Sequence, residues 1–297
     1  MKKKSNFTAF FGFTVLIAVI ALVIAACGTP AEPNPCENGH SFTEFVSTTA
    51  TCITAGQDTH KCERCTETNQ SARAALGHNI VWVDDYTSID QNKCDRTGCT
   101  HIAGVGDTGP GGGTIYYVSS DGFEVVGYGT DETVTGYFET YIAHYIEVAP
   151  ATPAIPSQPW GLSPNNTNTL IENGLANYTT NSTTLDLNGI NEVIGKGRKD
   201  TQIIIAALGT SAEYAARSAS AYTTASGHND WFLPSITEFH ILHQSTVSMP
   251  YNTSFWTSAQ AGVSQAWEIN LYSGNVTVSN KAPFSLSFMS VRAIRAF

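Results

Sequence analysis

The chain has 297 residues and a formal net charge of −10, with 13% charged and 10% aromatic side chains. So acidic a chain has no route to nucleic acid by counterion release, which excludes nucleic acid as a partner. Apolar residues at 42% suffice for a sizeable core, and the many Gly, Thr, Ser and Asn residues favour strands and turns in an extracellular globule.

Lys2, Lys3 and Lys4 precede an almost uncharged apolar run from Phe10 to Ala26, a positive region followed by a hydrophobic one. Ile24-Ala25-Ala26-Cys27 closes it, matching the pattern read by the bacterial lipoprotein signal peptidase, whose substrate cysteine takes a diacylglycerol on sulfur. The expectation is a signal peptide over 1–26, a lipidated Cys27 and a Pro-containing linker over 27–35. The competing reading is an uncleaved signal anchor, since about 17 apolar residues nearly span a bilayer. Either way residues 28 onward lie outside the cytoplasm, in the cell envelope. Gly28 after the cysteine fits an outer membrane or cell-surface location. Without the leader's three lysines, 12 basic face 25 acidic side chains, a net charge of about −13.

All six later cysteines (Cys36, Cys52, Cys62, Cys65, Cys94 and Cys99) precede residue 100. This sets a boundary near Ile102 to Gly106, with a Cys-rich spacer module over 36–102 and a second domain over 103–297. The module carries a faint repeat: Gly39-His40 recurs as Gly77-His78, and Lys61-Cys62-Glu63-Arg64-Cys65 as Lys93-Cys94-Asp95-Arg96-Thr97-Gly98-Cys99. So few aliphatic residues require a cross-link or a metal. Tetrahedral zinc is one solution, with Cys52, Cys62 and Cys65 joined by His40 or His78, and Cys94, Cys99 and His101 as part of a second site. Disulfides are the other, favoured by export and the even count. The segment also resembles short Cys/Gly-His modules of bacterial surface proteins, which implies a spacer or stalk.

Gly106-Asp107-Thr108-Gly109-Pro110-Gly111-Gly112-Gly113 precedes a strand at Thr114 to Val118. A phosphate loop follows a strand, opens a helix and carries Lys-Ser/Thr, so these glycines read as turn chemistry. Further strands are expected at Phe123 to Gly127 and His144 to Val148, then a polar excursion of loops from Pro150 to Asn188. Helices are expected over Asp200 to Leu208 and from Ser211 to about Ala221, the second capped by Ser211 or Thr210. Ser235 and Glu238 form a capping box, so a third helix starts there and turns Phe239 and Leu242 inward. Phe255 to Ser258 reads as a strand. Ala266 to Tyr272 and Asn275 to Val278 read as a hairpin across Ser273-Gly274, with Trp267, Ile269 and Leu271 on the buried face. The apolar end, Ser290 to Phe297, is expected inside a sheet.

The motifs Gly106 to Gly113, Pro159-Trp160-Gly161, Ile194-Gly195-x-Gly197, Asp230-Trp231-Phe232-Leu233-Pro234-Ser235, Phe255 to Ser258, Ala266-Trp267 and Val291 to Phe297 together resemble the DUF1566 family. That family is similar to the C-terminal domain of the Legionella collagen-like adhesin. The resemblance runs in order over residues 106–297. It implies an α+β, C-type-lectin-like domain behind the small metal- or disulfide-held module, used for extracellular recognition and adhesion and related in shape to formylglycine-generating enzymes. This chain departs from the family in having Asp200-Thr201 and Ala215-Ala216 where Asn-Thr and a cysteine are frequent.

An enzyme of the formylglycine-generating kind needs paired reactive cysteines, and the second domain has none. Calcium-dependent sugar binding would need a Glu-Pro-Asn or Trp-Asn-Asp motif; the one Glu32-Pro33-Asn34 lies in the linker. His228, Asp230 and Glu238 read as turn and cap residues, and His240 with His243 as a polar helix face. The expected function is therefore non-enzymatic binding of an extracellular glycan or protein, with membrane contact through the lipid anchor and no cofactor in the second domain. The alternatives are a structural envelope protein and, last, an enzyme. The expected ligand surface is Trp256, Asn270, Tyr272, Asn275, Asn280 and Phe284, on or beside the hairpin. Trp231, Trp256 and Trp267 also stand at motif positions that favour the core. Long sulfated glycans suit so acidic a chain only if Lys196, Arg198 and Lys199 form a local basic patch.

Overall fold

The computed structural model describes residues 36, 39–84, 88–161, 194–247, 253–262, 264–281 and 289–297. Cys27, the leader, the linker, most of the polar excursion and Phe284 lie outside the described residues. The chain is mixed and mostly sheet, with a few helices. It forms two compact units. One takes in the described residues up to Ala50 together with Ala55–Ala74; the other comprises Thr51–Thr54 and Ala75–Phe297. Among the described residues no helix is long and apolar enough to cross a membrane.

The small unit is an antiparallel meander of β1 (Phe42–Thr48), β2 (Gly56–Cys62) and β3 (Thr68–Arg73). Its side chains do not make a core: Phe45 and Val46 are more than half exposed and β3 is exposed throughout. The buried residues are instead Cys36, Ala50, Gly56 and Cys62. Gly56 is required by space, since a Cβ there would lie 2.7 Å from the Thr48 carbonyl oxygen.

The large unit begins with a short ladder of β4 (Ile80–Val81) and β5 (Lys93–Cys94). β6 (Thr114–Val125), β7 (Tyr141–Val148) and β11 (Ile294–Ala296) form a sheet ordered β11-β7-β6, and β8 (Ser254–Gln260), β9 (Gln265–Asn270) and β10 (Val276–Asn280) form another ordered β10-β9-β8. The helices are α1 (Gly197–Leu208), α2 (Ala215–Ser220) and α3 (Ile236–Gln244). One apolar cluster gathers Ile146, Phe232, Phe239, Trp267, Ile269 and Ile294; a second gathers Trp160, Ile203, Ile204, Trp231 and Trp256.

Several sequence expectations hold. Ser235 and Glu238 make a reciprocal capping box, and Phe239 and Leu242 are buried. β9 and β10 pair as the expected hairpin, with Trp267, Ile269 and Leu271 inside. The last strand pairs antiparallel with β7, so the terminus is part of a sheet. Three expectations change. The strands at 114 and 123 are one strand, β6, with an irregular register between Val118 and Phe123. α2 starts at Ala215 rather than Ser211, because buried Tyr214 takes the cap position and the Ala215 amide bonds the Pro159 carbonyl. The units part at Ala74/Ala75 rather than near residue 102, because Trp82, after β4, packs edge-on against Tyr145 and Phe297 of the large unit.

Two buried carboxylates tie the large unit together. Glu147 on β7 accepts hydrogen bonds from the Gly111 and Gly113 amides at 2.9 and 2.8 Å and from Arg295 at 3.1 Å. Arg295 also pairs with Asp230. Glu238 on α3 accepts from the amides of Gly195, Gly197 and Ser235. Cβ atoms at Gly109, Gly111 or Gly197 would come within 2.4 Å of these carboxylates. The glycine-rich loop thus has its amides filled by a side chain of its own chain.

Asp200 on α1 is buried, and desolvation, with Glu238 adding repulsion, pushes its carboxyl up to about 7. A raised acid contributes its stability below its ordinary range near 4 and loses it as pH rises through 7. Asp200→Asn should therefore flatten the decline in stability between pH 4 and 8, by at most about 4 kcal/mol for a three-unit shift. Urea unfolding across that range checks it; an unchanged pH profile would show that Asp200 is ionised in the fold at no cost.

Candidate metal centres

Two four-residue groups of metal-ligating side chains stand in the described residues, Cys36/His40/Cys62/Cys65 and Cys52/His78/Cys94/Cys99, with the ligand atoms of each within 4.8 Å of one another. The first belongs to the small unit and the second to the large one. In the first, the Cys36 Sγ lies 2.9 Å from that of Cys65 and 3.4 Å from that of Cys62, and the Cys65 Sγ lies 3.3 Å from His40 Nδ1. In the second, the Cys52 and Cys94 sulfurs are 3.7 Å apart and the Cys99 Sγ is 3.4 Å from His78 Nδ1. Ligands about 2.3 Å from a tetrahedral zinc stand about 3.7 Å from each other. Bonded sulfurs would be about 2.05 Å apart, closer than the 2.9–3.7 Å between these sulfurs. The geometry and the donor set fit a metal ion.

The two centres are copies of one local design. In each, the first cysteine's carbonyl accepts the amide of the glycine before the histidine: Gly39 to Cys36 at 2.9 Å, Gly77 to Cys52 at 3.0 Å. Both glycines have positive φ, 97° and 67°, which turns the histidine back toward the sulfurs. The carbonyls of the same two glycines accept Arg64 and Arg96, the arginines inside the following cysteine pairs. The faint repeat in the sequence is therefore one candidate metal-binding unit written twice.

The electrostatics distinguish the thiols. The Arg64 amide, aimed at the Cys62 sulfur, is the main reason that this thiol is lowered to about 5, despite burial. Burial pushes Cys94 up, but the Arg96 and Asn79 amides outweigh it and bring it down to about 6. Cys36, hydrogen bonded to Cys65 and buried, is raised to about 12, and burial with bonds to Cys99 and Cys94 raises Cys52 to about 11. Each centre thus offers a ready thiolate beside thiols that a dication would deprotonate.

The expected ligand grouping needs correction. Cys52 does not join Cys62 and Cys65; it lies in the other centre with His78, Cys94 and Cys99. Cys36, read only as one of six cysteines, completes the first centre with His40. His101 is no ligand in either group. It stacks on His78 with ring centroids 3.8 Å apart and bonds Asp107 at 2.6 Å, so it fixes the ring of a ligand. Nearest-neighbour spacing gave the wrong partners; the repeat, one glycine-histidine per cysteine pair, carried the right ones.

The expected ligand surface is only partly brought together. Trp256 is fully buried in the second apolar cluster, where its indole donates to the Gln158 carbonyl at 2.9 Å, so it is a core residue rather than a surface contact. Asn270 braces the hairpin turn, its Oδ1 accepting from the Tyr272 and Ser273 amides. Tyr272 is 70% exposed, and Asn275 and Asn280 are exposed nearby. Asp230 pairs with Arg295 rather than closing its own turn. His243 bonds the Leu271 carbonyl, and among the described residues no third metal-ligating side chain joins it and His240.

Compared with known proteins, the sequence matches no protein-family model and no curated protein.

The chain should bind two zinc ions. Cys62→Ser should release one and leave the unfolding of the large unit unchanged. Cys94→Ser should release the other and lower that unit's melting temperature by several degrees, about 4 °C per kcal/mol lost at this size. Metal analysis with calorimetry reads both; equal effects of the two variants on the large unit would contradict the assignment.

Proposed function

We propose that this chain is a lipid-anchored surface protein. Its large unit is a non-enzymatic, C-type-lectin-like binding module of the DUF1566 kind, and its Cys-rich part is a zinc-held spacer. The anchor is Cys27 and the place is the outer face of the cell envelope, at an outer membrane or cell surface. The partner is an extracellular glycan or protein.

The observation that carries the reading is where the resemblance motifs fall. Gly111 and Gly113, Gly195 and Gly197, Asp230, Ser235 and Arg295 come from four separate motifs; Gly111, Gly113 and Arg295 bond Glu147, Gly195, Gly197 and Ser235 bond Glu238, and Asp230 pairs with Arg295. Motifs whose polar groups are spent on two buried carboxylates of the same unit serve to hold a scaffold. Loops and the exposed turn at Tyr272 are left to do the binding.

The test is binding of the chain, released from the membrane, to arrays of glycans and extracellular proteins, beside a heat-unfolded control. Saturable binding by the folded chain alone is the expected result. A folded chain that binds nothing would leave a structural envelope protein in its place.

A further inference from the structure

An open cleft of about 590 Å³ lies in the large unit, away from the β9–β10 hairpin, with Trp82, Tyr141, His144, Arg198, His228 and Phe297 in its walls. Its size is within the roughly 300–1,000 Å³ of small-molecule sites. The aromatic wall is held rigid: Trp82 packs edge-on against Phe297, which stacks on Tyr145. The Trp82 side of the wall hangs from the second metal centre, because β4 just before it pairs with β5, which carries Cys94. The Val83 amide is fastened to Asn92 at 3.0 Å.

Two guanidinium groups reach the cleft, and they differ. Arg295 is already matched by Glu147 and Asp230. Arg198 is fixed in place, 4.1 Å above the Phe138 ring and bonded to the Tyr141 hydroxyl at 3.2 Å. Among the described residues no carboxylate pairs with it. In a chain of net charge −10 a preorganised arginine without an acidic partner is a place for a ligand's acid group. Asp230 and Asp84, also in the walls, supply acceptors for hydroxyl groups, and Trp82 supplies the aromatic surface for sugar C–H groups, the Phe297 ring being covered by Tyr145 and Arg295.

We infer that this cleft is a binding site for a carboxylate-bearing sugar, with the acid group on Arg198 and the ring against Trp82. The inference rests on the recognition reading above and moves its ligand site from the hairpin to the cleft.

The probes are glucuronic acid and N-acetylneuraminic acid, with glucose as the neutral control, titrated into the full chain in detergent and followed by NMR or tryptophan fluorescence. At least one acid should bind saturably and glucose should not. Arg198→Gln should weaken binding about tenfold or more, the worth of one charge-assisted contact, and leave the melting temperature within a degree or two. Trp82→Ala should weaken it too. No binding of either acid, equal binding of glucose, or binding indifferent to Arg198→Gln in a folded chain overturns the inference. An array ligand that binds Arg198→Gln as well as the parent chain overturns this site while the recognition reading stands.

Discussion

Burying a carboxylate is costly unless every lone pair is answered, and the large unit depends on two such burials. Glu147 and Glu238 have no exposed surface. Among their partners are backbone amides of glycines that come closer than a side chain would allow. Each carboxylate is therefore a clamp between segments remote in sequence. Glu147 joins the loop at 109–113, β7 and β11; Glu238 joins the residues entering α1 to the start of α3. Burial still pushes both carboxyls above their ordinary range, although the surrounding amides, with Arg295 at Glu147, pull them down. Much of the polar bonding is spent on offsetting that cost.

The small unit solves the opposite problem. It has almost no core, and what it buries is cysteine. Where apolar area is too small to offset chain entropy, a metal held by the four candidate ligands would supply the missing free energy. The second copy of the same design lies within the large unit instead, where His101 and Asp107 link its histidine to the start of the glycine-rich loop. One candidate ligand motif thus stands in two settings: a sheet with little apolar burial among the described residues, and a domain that has its own core.

The fold was legible where local signals and burial agree. The capping box at Ser235, the hairpin at Ser273-Gly274 and the closing strand could all be read because each is decided within a few residues. The misread start of α2 shows the limit: Thr210 and Ser211 are good caps, but Tyr214 is buried and its hydroxyl holds the Gly209 carbonyl, so packing set the boundary. Trp256 shows the same, since an aromatic on a strand next to a hairpin gives no sign of which way it faces. The candidate metal ligands were legible as a set but not as groups, because Cys52 reaches over 42 residues to Cys94 while Cys62 lies ten residues away. The cleft was illegible altogether: its walls come from β4's end, β7, α1 and the terminus, and no periodicity connects them.

The large unit depends on the carboxylate clamps. Glu147→Gln keeps the size of the side chain, but it sets an amide N–H against a backbone N–H and leaves Arg295 facing a neutral group. Chemical denaturation of that variant is the most direct measurement. The expected loss is about 3–5 kcal/mol, the cost of breaking a buried, hydrogen-bonded charge pair. A loss below about 1 kcal/mol would contradict it, because the glycine-rich loop and the last strand would then be held by something other than Glu147.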